Sequence, residues 1–297
     1  MAVISLNAWS DVSAISNSIL EDALFAVRES YVTANLVKTF TDLSGGNLRK
    51  NFIYETVTAG TVTETDDLTS SSFHPDAAQT LTPKEIGAQI MVSDLRRDSE
   101  APENIITDCA RELGLAVADK VETDLIALFP SLTGVANYYT GTIIGTPTWG
   151  ALAGMISIAR YCSKSNSVPL VAVVHGFHWN VLARAANVAG ASIAAVAPGF
   201  QEELTRSGYV GSFMGVPIYQ IYNTPTGTIT TATAWTYSAV FPRDAIALDW
   251  RRQPRVEGER NASMRGTEFN ISAVYACGVW RPALGVYAKM FACQPAT

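Results

Sequence analysis

Apolar residues recur every three to four positions in the first part of the chain. This spacing is typical of an amphipathic helix and predicts one over residues 10–43. Ser10 or Asp11 is suited to cap its start, and Gly45-Gly46 to end it. We expect this helix to pack on its own subunit or to lie as an arm on a neighbouring one. The pattern is carried by Ile19, Leu20, Ala23, Leu24, Val27 and Tyr31.

The pattern then changes to a two-residue alternation, which predicts a long β-hairpin. Phe52–Thr63 is extended and Thr-rich, and Glu64–Asp76 forms an acidic, polar turn region. The chain returns through Ala78–Thr82 into the alternating run Ile86–Ser93. Because an isolated two-stranded ribbon is only marginally stable in water, we expect the hairpin to rest on another surface, such as a neighbouring subunit.

The strongest helical pattern runs from Ser99 to Phe129. Ser99 is suited to cap this helix, Pro102 is tolerated in its first turn, and Pro130 ends it. A helix of this length spans about 46 Å, which suits a structural spine. Its apolar side is formed by Ile106, Cys109, Leu113, Ala116, Val121, Leu125 and Leu128.

The remaining sequence mixes helices with short strands and then becomes all strand. We predict helices over Thr148–Ser163 and Phe177–Ala186, and strands over Pro169–Val174 and Val216–Tyr222. The carboxy-terminal strands are Thr236–Val240, Ala245–Asp249, a long run with Phe269, Ile271, Ala273, Tyr275, Cys277 and Val279 on one face, and, after a turn at Arg281-Pro282, Leu284–Phe291.

Charge is scarce in this chain. Charged residues make up 16% of its 297 residues, against roughly 25% in an average soluble domain. No stretch reaches the roughly 18 consecutive apolar residues of a membrane span, and the start, MAVISLNAWSDVS, lacks the basic region of a secretory signal. Since interface cores are depleted in charge, the composition favours a protein that lies within an assembly. A net charge of −6 argues against a broad basic surface that grips nucleic acid, but not against a shell that encloses it.

The charges are also unevenly distributed. Residues 84–130 hold 15 charged residues, residues 131–242 hold six, and residues 243–268 hold 11. This pattern indicates a discontinuous domain, with a charge-poor lobe inserted between two charge-rich segments. We interpret the last segment as material for salt bridges between subunits, with a solvated loop as the alternative. It contains Arg251, Arg252, Arg255, Glu257, Glu259, Arg260, Arg265 and Glu268.

The order of these elements resembles the Hong Kong 97-type major capsid protein of tailed phages. Asn51–Thr82 looks like its E-loop, and Ser99–Phe129 like the spine helix of its P domain. The block Val171–Leu182 is similar to the strand–helix unit of its A domain. Phe241–Leu248 and Gly278–Pro282 look like returning P-domain strands. The resemblance covers nearly the whole chain and depends on order and length, since no single motif is diagnostic.

The resemblance implies an α+β fold, the Hong Kong 97-like capsid fold with N-arm, E-loop hairpin, P domain with long spine helix, and inserted A domain. The corresponding boundaries are 1–45 for the N-terminal arm, 46–83 for the E-loop hairpin, 84–130 for the P domain with its spine helix, 131–235 for the A domain and 236–297 for the returning P-domain strands. The implied function is structural: pentamers and hexamers of an icosahedral shell that encloses double-stranded DNA.

The implied partners are copies of the same chain, a portal and, in some shells, a cement protein. Because the E-loop segment begins only about 50 residues after Met1, a large fused scaffolding domain is not expected, and a separate scaffold protein is predicted. The implied location is the virion, after assembly in the host cytoplasm, without a membrane. Some relatives cross-link neighbours through an E-loop lysine, but no lysine lies between Asn51 and Pro83 here, so no such link is expected.

Chemistry-bearing residues form no recognisable catalytic, cofactor or metal site, so none is predicted. His175 and His178 form an H-x-x-H pair, but no third metal ligand is evident and packing at a strand-to-helix turn explains them better. His74 precedes Pro75 in the hairpin turn, where exposure is expected. The sequence contains no nucleophile elbow, P-loop or dinucleotide fingerprint.

Other polar and aromatic groups are explained by ordinary structural roles. Acidic neighbours in sequence mark solvated turns more often than acid–base couples, which tertiary contacts build. We predict reduced, buried thiols for the cysteines and core or interface packing for the tryptophans. These groups are Asp66-Asp67 and Glu202-Glu203; Cys109, Cys162, Cys277 and Cys293; and Trp149, Trp179, Trp235, Trp250 and Trp280.

Two alternatives to a phage capsid stay open at this point. The nearer one is an encapsulin, a compartment shell of related fold that stores an enzyme as cargo. The other is an enzyme with an active-site pocket, which would be a small oligomer.

Overall fold

A computed structural model describes residues 32–54, 57, 59–62, 64, 75–99, 105–134, 145–164, 168–188, 209–222 and 234–292. The helices of this described part are α1 (Thr33–Leu36), α2 (Asp94–Ser99), α3 (Ile105–Ile126), α4 (Trp149–Ser163) and α5 (Gly176–Val188). Its strands are β1 (Lys38–Phe40), β2 (Arg49–Tyr54), β3 (Pro75–Leu81), β4 (Lys84–Ser93), β5 (Leu170–His175), β6 (Tyr209–Phe213), β7 (Val216–Ile221), β8 (Trp235–Pro242), β9 (Ile246–Asn261), β10 (Gly266–Val279) and β11 (Val286–Phe291).

A four-stranded sheet of order β1-β9-β10-β4 forms the body that the long helix covers. The alternation predicted for β10 is observed as far as Tyr275: Phe269, Ile271, Ala273 and Tyr275 are all buried. Beyond Tyr275 it fails, because Ala276 is buried whereas Cys277 and Val279 are only half-buried. Strand β10 pairs antiparallel with both β9 and β4 along almost its full length. Its apolar face packs against α3, and Leu113 and Val117 of that helix lie in one buried cluster with Ile271.

The long helix is shorter than predicted, and its start was wrongly placed. Ser99 is the last residue of the short helix α2, and the long helix α3 begins at Ile105. Its 22 residues span about 33 Å, and Pro130 lies within a 3-10 turn, Phe129–Ser131, that follows it. Ala116 was also wrongly placed on the buried side: it is exposed, and Val117 and Ala118 are buried instead.

The helix predicted over residues 10–43 is contradicted at its end. The described helix ends at Leu36, and β1 then pairs in parallel with β9. In β1 the backbone N–H and C=O groups form hydrogen bonds with β9. This pairing determines the local structure in place of the predicted helix. The remainder of the predicted helix lies outside the described residues.

The predicted hairpin is present at its base, and we call its two strands, β2 and β3, the ribbon. They pair antiparallel with each other and form a separate two-stranded sheet. The run Ile86–Ser93 belongs to β4, which pairs with β10 and is not part of the ribbon. The chain passes from the ribbon into the four-stranded sheet at Thr82-Pro83, the two residues between Leu81 and β4. Most of the predicted turn region, including His74 and Asp66-Asp67, lies outside the described residues.

A five-stranded sheet of order β11-β8-β5-β7-β6 forms the second lobe. The predicted elements Thr148–Ser163, Pro169–Val174, Phe177–Ala186 and Val216–Tyr222 correspond to α4, β5, α5 and β7. Thr148 caps α4, because its side chain accepts a hydrogen bond from the backbone N–H of Ala151 at 3.1 Å. Strand β8 begins at Trp235 and β11 lies beyond it, so this sheet contains strands from both sides of the boundary predicted at residue 235.

Candidate functional site

One face of the ribbon is exposed and partly apolar. Burial alternates along β2, and its exposed positions are Lys50, Phe52 and Tyr54. The Phe52 and Tyr54 side chains are 49% and 48% exposed. Ala78, the cross-strand partner of Phe52, is also exposed. Two large aromatic side chains on a sheet of only two strands form a surface suited to contact with another protein.

The base of the ribbon is fixed to the body by a buried carboxylate. Arg49, the first residue of β2, donates a hydrogen bond from Nε to Oδ2 of Asp249 at 2.6 Å. The Asp249 side chain has no exposed surface, whereas that of Asp42, which also accepts a bond from Arg49, is 65% exposed. Burial acts to lower the pKa of Arg49, but its bonds to Asp249 and Asp42 raise that pKa above the ordinary value. The guanidinium therefore stays charged at the junction.

Aromatic and amide contacts complete this junction. The Arg49 guanidinium lies over the ring of Phe40, 4.2 Å from its centroid, and Phe40 packs against Trp280 at 5.1 Å. Asn51 donates from Nδ2 to the backbone carbonyl of Trp280 at 2.8 Å. Leu81, at the other strand end, is 1% exposed and lies in a buried cluster with residues of β9 and β10. Because Leu81 is the cross-strand partner of Arg49, both strands of the ribbon are held at its base.

The long helix α3 is joined to the sheet by a charged cluster around Asp124. Lys84 and Lys120 donate to its carboxylate at 2.6 and 3.1 Å, and the Tyr275 hydroxyl donates to it as well. Burial acts to raise the pKa of Asp124, but these hydrogen bonds lower it below the ordinary value. The cluster connects α3 with β4 and β10 and fixes the helix on the sheet.

A second carboxylate of α3, that of Glu122, binds the backbone of the segment that begins at Val32. Glu122 Oε1 accepts hydrogen bonds from the backbone N–H groups of Val32 and Thr33, at 2.5 and 2.6 Å. Burial raises the pKa of Glu122 above its ordinary value, although these bonds act in the opposite direction. Glu122 and Val32 also line a cavity of about 340 Å³. No sequence pattern predicted this contact, because it joins residues 90 positions apart.

The charge-rich segment 243–268 forms ion pairs within its own chain. It is the strand β9 and its turn into β10, so the alternative of a solvated loop is wrong. Arg260 forms a two-bonded pair with Asp94, at 2.7 and 2.6 Å, and Arg252 pairs with Glu85. Both pairs reach across β10, which lies between β9 and β4 in the sheet. They join β9 to β4 and to α2.

The histidine pair is a packing feature, as the sequence indicated. His175 ends β5 and accepts a hydrogen bond at Nδ1 from the backbone N–H of Phe177 at 3.1 Å. His178 is 0% exposed and lies 2.8 Å from Ser238 Oγ through Nδ1, and 3.2 Å from the Met290 carbonyl through Nε2. Since a carbonyl only accepts, Nε2 carries the proton and the Ser238 hydroxyl donates to Nδ1. Burial, assisted by His175, lowers the pKa of His178 to about 3.

The cysteines and tryptophans identified in the sequence lie at packing positions where the structure describes them. Cys109, Cys162 and Cys277 are free thiols, but only Cys109 is buried, so the prediction of buried thiols is wrong for Cys162 and Cys277, which are half-buried. Trp149 packs edge-on against Trp179, and Trp250 packs against Tyr275. Within the described residues, no group of three or more metal-ligating side chains is close enough to hold an ion. Glu202-Glu203 and Cys293 lie outside the described residues. No described helix is long and apolar enough to cross a membrane.

The buried pair Asp249 and Arg251 was missed as a unit. Arg251 was identified only as a member of the charge-rich segment and Asp249 only as the last residue of a predicted strand, yet both side chains are fully buried. The available signal was their spacing of two in a strand whose neighbours Ala247 and Leu248 are apolar. That spacing indicates two charges on the same face of a buried strand, which must be paired.

Comparison with known proteins gives structural relatives only. No family model matches the chain, and no curated protein matches it in sequence. A solved structure from Mycobacterium phage Che8 is 17% identical, with 86% of this chain and 90% of that chain covered, at a TM-score of 0.62. The capsid of Ralstonia phage GP4 is 12% identical, with coverages of 91% and 89% and a TM-score of 0.62. A virus-like particle from Pyrococcus furiosus is 9% identical, with coverages of 92% and 98% and a TM-score of 0.60.

These similarities extend over most of each chain, at identities too low to trace a common function residue by residue. The described chain therefore has the mixed α+β fold of phage capsid subunits.

Proposed function

We propose that this chain is the major capsid protein of a tailed phage, a structural subunit that assembles with copies of itself into a closed shell. The observation that carries the proposal is the likeness of the fold to phage capsids over most of both chains. The exposed aromatic face of the ribbon supports it, because two half-exposed aromatic side chains form a surface suited to contact with a neighbouring subunit. An encapsulin-type shell is not favoured by the same comparisons.

In this proposal the predicted domains have distinct roles. Residues 1–45 form the N-terminal arm and 46–83 the E-loop, whose base is the ribbon. Residues 84–130 form the P-domain spine, 131–235 the A domain and 236–297 the returning strands. Strands β8 and β11 join the five-stranded sheet and β9 and β10 the four-stranded one, so the carboxy-terminal strands are divided between the two lobes. The arm and ribbon contact neighbours, while the sheets set the shape of the subunit.

The low charge of residues 131–242 fits a position near a symmetry axis. A rotation axis brings copies of one side chain together, and like charges there repel each other. Because this segment has only six charged residues, the repulsion between its copies would be small. We therefore place the five-stranded lobe around the axes of the pentamers and hexamers, in a shell that encloses double-stranded DNA. A separate scaffold protein, a portal and a cement protein are the partners this role would involve.

The test is size and shape after purification. The full chain, expressed with and without candidate scaffold proteins, is separated by size-exclusion chromatography, and its largest fraction is imaged by electron microscopy. Closed particles with five-fold and six-fold clusters are expected. A discrete small oligomer under every condition would contradict the proposal and favour the enzyme alternative. Particles that copurify with an enzyme cargo, and that package no DNA, would favour the encapsulin alternative.

We predict that the shell contains no covalent link through the E-loop. The segment between Asn51 and Pro83 has no lysine to form an isopeptide bond, so its contacts are non-covalent. When intact shells are boiled in SDS, all of this chain should run at its monomer mass of 31.9 kDa. A ladder of dimers and larger species that survives boiling would contradict this prediction.

A further inference from the structure

Glu122 of the long helix α3 supplies a cap that the short helix α1 lacks. The residue before α1 is Val32, whose side chain has no oxygen and makes no capping bond. The N–H groups of Val32 and Thr33 are bonded instead to Glu122 Oε1, at 2.5 and 2.6 Å. From Ala34 to Val37 the segment is fixed by apolar packing in the main buried cluster. Since a helix of four residues is not stable by its own hydrogen bonds, the start of α1 depends on Glu122.

The carboxyl group of Glu122 is only partly bonded. Among the described residues, its second oxygen, Oε2, is buried without a hydrogen bond, and so is Oγ1 of the fully buried Thr33. The Thr33 side chain acts on the pKa of Glu122, so the two groups lie close together. A proton on Oε2 would allow it to donate to Thr33 Oγ1, while Oε1 keeps both N–H bonds. Because burial favours the uncharged form of a carboxyl group, it favours this arrangement over a bond from the hydroxyl to a carboxylate.

The surroundings of Glu122 also favour a proton on it. Burial raises its pKa above the ordinary value, Asp119 raises it further, and the hydrogen bonds to it lower that pKa without cancelling the rise. The elements that face it contribute no charge, because residues 32–37 and 216–222 contain no charged side chain. The titratable groups on the adjoining stretches are the phenols of Tyr219 and Tyr222 and, on α3, Lys120 and Asp124, which pair with each other.

A cavity gives protons access to this carboxyl group. Glu122 and Val32 line the cavity of about 340 Å³ between α3 and the end of β7. Two further lining residues, Asp119 and Tyr222, are exposed, so the cavity is open to solvent. Glu122 can therefore gain or lose a proton while the subunit stays folded.

We infer that Glu122 is a proton-operated latch, which fixes the start of α1 on α3 when it takes up a proton and loosens that contact when it loses the proton. A carboxyl group whose pKa is raised in the closed contact binds its proton more readily there than in the open one. The contact is therefore weakest at pH 8 and strengthens as the pH falls toward the ordinary value of 4.5. Each unit by which the pKa is raised strengthens it by about tenfold. This inference concerns the single subunit and does not depend on the proposed shell.

Hydrogen exchange of the unassembled full-length chain between pH 8 and 5 tests the latch. The amides of Val32 and Thr33 are followed by NMR and corrected for the pH dependence of intrinsic exchange. Their protection in the wild type should rise by about threefold or more toward pH 5. In E122Q, the amide accepts through Oε1 and donates through Nε2, so protection should be high at every pH. E122A should leave both amides poorly protected.

Two results would overturn the inference. One is a wild-type protection of Val32 and Thr33 that stays constant or falls toward pH 5. The other is a protection in E122Q no higher than in the wild type at pH 8. If E122A does not fold, the comparison of E122Q with the wild type still decides, because the glutamine keeps the shape of the side chain.

Controls make the result specific to this carboxyl group. E112Q changes an exposed glutamate of the same helix and should keep the wild-type response to pH. T33V keeps the volume of the side chain but removes the hydroxyl, so the rise toward pH 5 should become smaller. A larger rise in T33V would show that the hydroxyl donates to a carboxylate, and would also overturn the inference. The amides of β10 report opening of the whole subunit and should not gain protection in acid. Failure of shell formation leaves every one of these measurements intact.

Discussion

Replacing Phe52 and Tyr54 together with serine should prevent assembly while the subunit stays folded. Both side chains are about half exposed on the subunit, so their removal has little effect on its own core. At a buried contact, two aromatic side chains contribute about 2–4 kcal/mol together. That loss corresponds to a rise of about 30- to 1,000-fold in the subunit concentration needed for assembly. Since each subunit repeats the contact, closed particles should disappear at ordinary concentrations.

The measurement is particle yield by size-exclusion chromatography and electron microscopy, with circular dichroism and thermal unfolding to verify the fold. Lys50→Ser is the matched control, because Lys50 lies on the same exposed face of β2 and contributes a charge rather than apolar area. K50S should assemble at a concentration close to that of the wild type. Normal yields from the double serine variant would contradict a role for this face in assembly.

The second large effect is a loss of subunit stability in mild acid, caused by His178. Its pKa of about 3 in the folded chain lies well below the ordinary value of 6.5, because the ring is buried. As the pH falls below 6.5, the unfolded chain binds a proton that the folded chain does not. Stability from this group is therefore complete above pH 6.5 and is lost as the pH falls toward 3. The slope is about 1.4 kcal/mol per pH unit, so about 3 kcal/mol is lost by pH 4.5.

Urea unfolding of the unassembled chain between pH 7.5 and 4.5 measures this slope. His178→Asn removes the titrating ring, so its free energy of unfolding should fall less steeply with pH than that of the wild type. H178N should also be less stable at pH 7.5, since the bonds to Ser238 and Met290 are altered. His74→Asn is the control, because the sequence predicts an exposed position for it, and its slope should match the wild type. Equal slopes for H178N and wild type would refute the assignment.

Local patterns predicted those elements whose own side chains define a buried face. Helix α4 was placed to within one residue, because Thr148 is an N-cap and a regular apolar spacing follows it. The alternation of β10 was correct as far as Tyr275 for the same reason: its buried face packs on one helix and repeats every two residues. The pairing of β2 with β3 followed from two extended runs separated by a polar turn. In each case the information lies within a short stretch of sequence.

Where prediction failed, a distant partner decided the local structure. Residues 38–40 fall within the predicted helix, but β9, about 200 positions away, provides a parallel ladder for them. Ile86–Ser93 continues the alternation of the hairpin, yet it pairs with β10 rather than within the ribbon. Ser99 carries a good capping side chain but ends α2, because the long helix begins only at Ile105. A short window of sequence does not contain these partners.

The candidate functional surface divides in the same way. The sequence by itself determined that the lobe after residue 130 is nearly free of charge. It also favoured a hairpin that rests on another surface, and packing rather than metal binding for the two neighbouring histidines. Only the tertiary structure decided that Phe52 and Tyr54 lie on the exposed face, and that Arg49 reaches Asp249 across 200 positions of sequence. Composition and periodicity are properties of neighbouring residues, whereas the pairing of buried charges depends on which strands meet in the sheet. For that reason the ribbon was predicted from the sequence, and the contact that holds it was not.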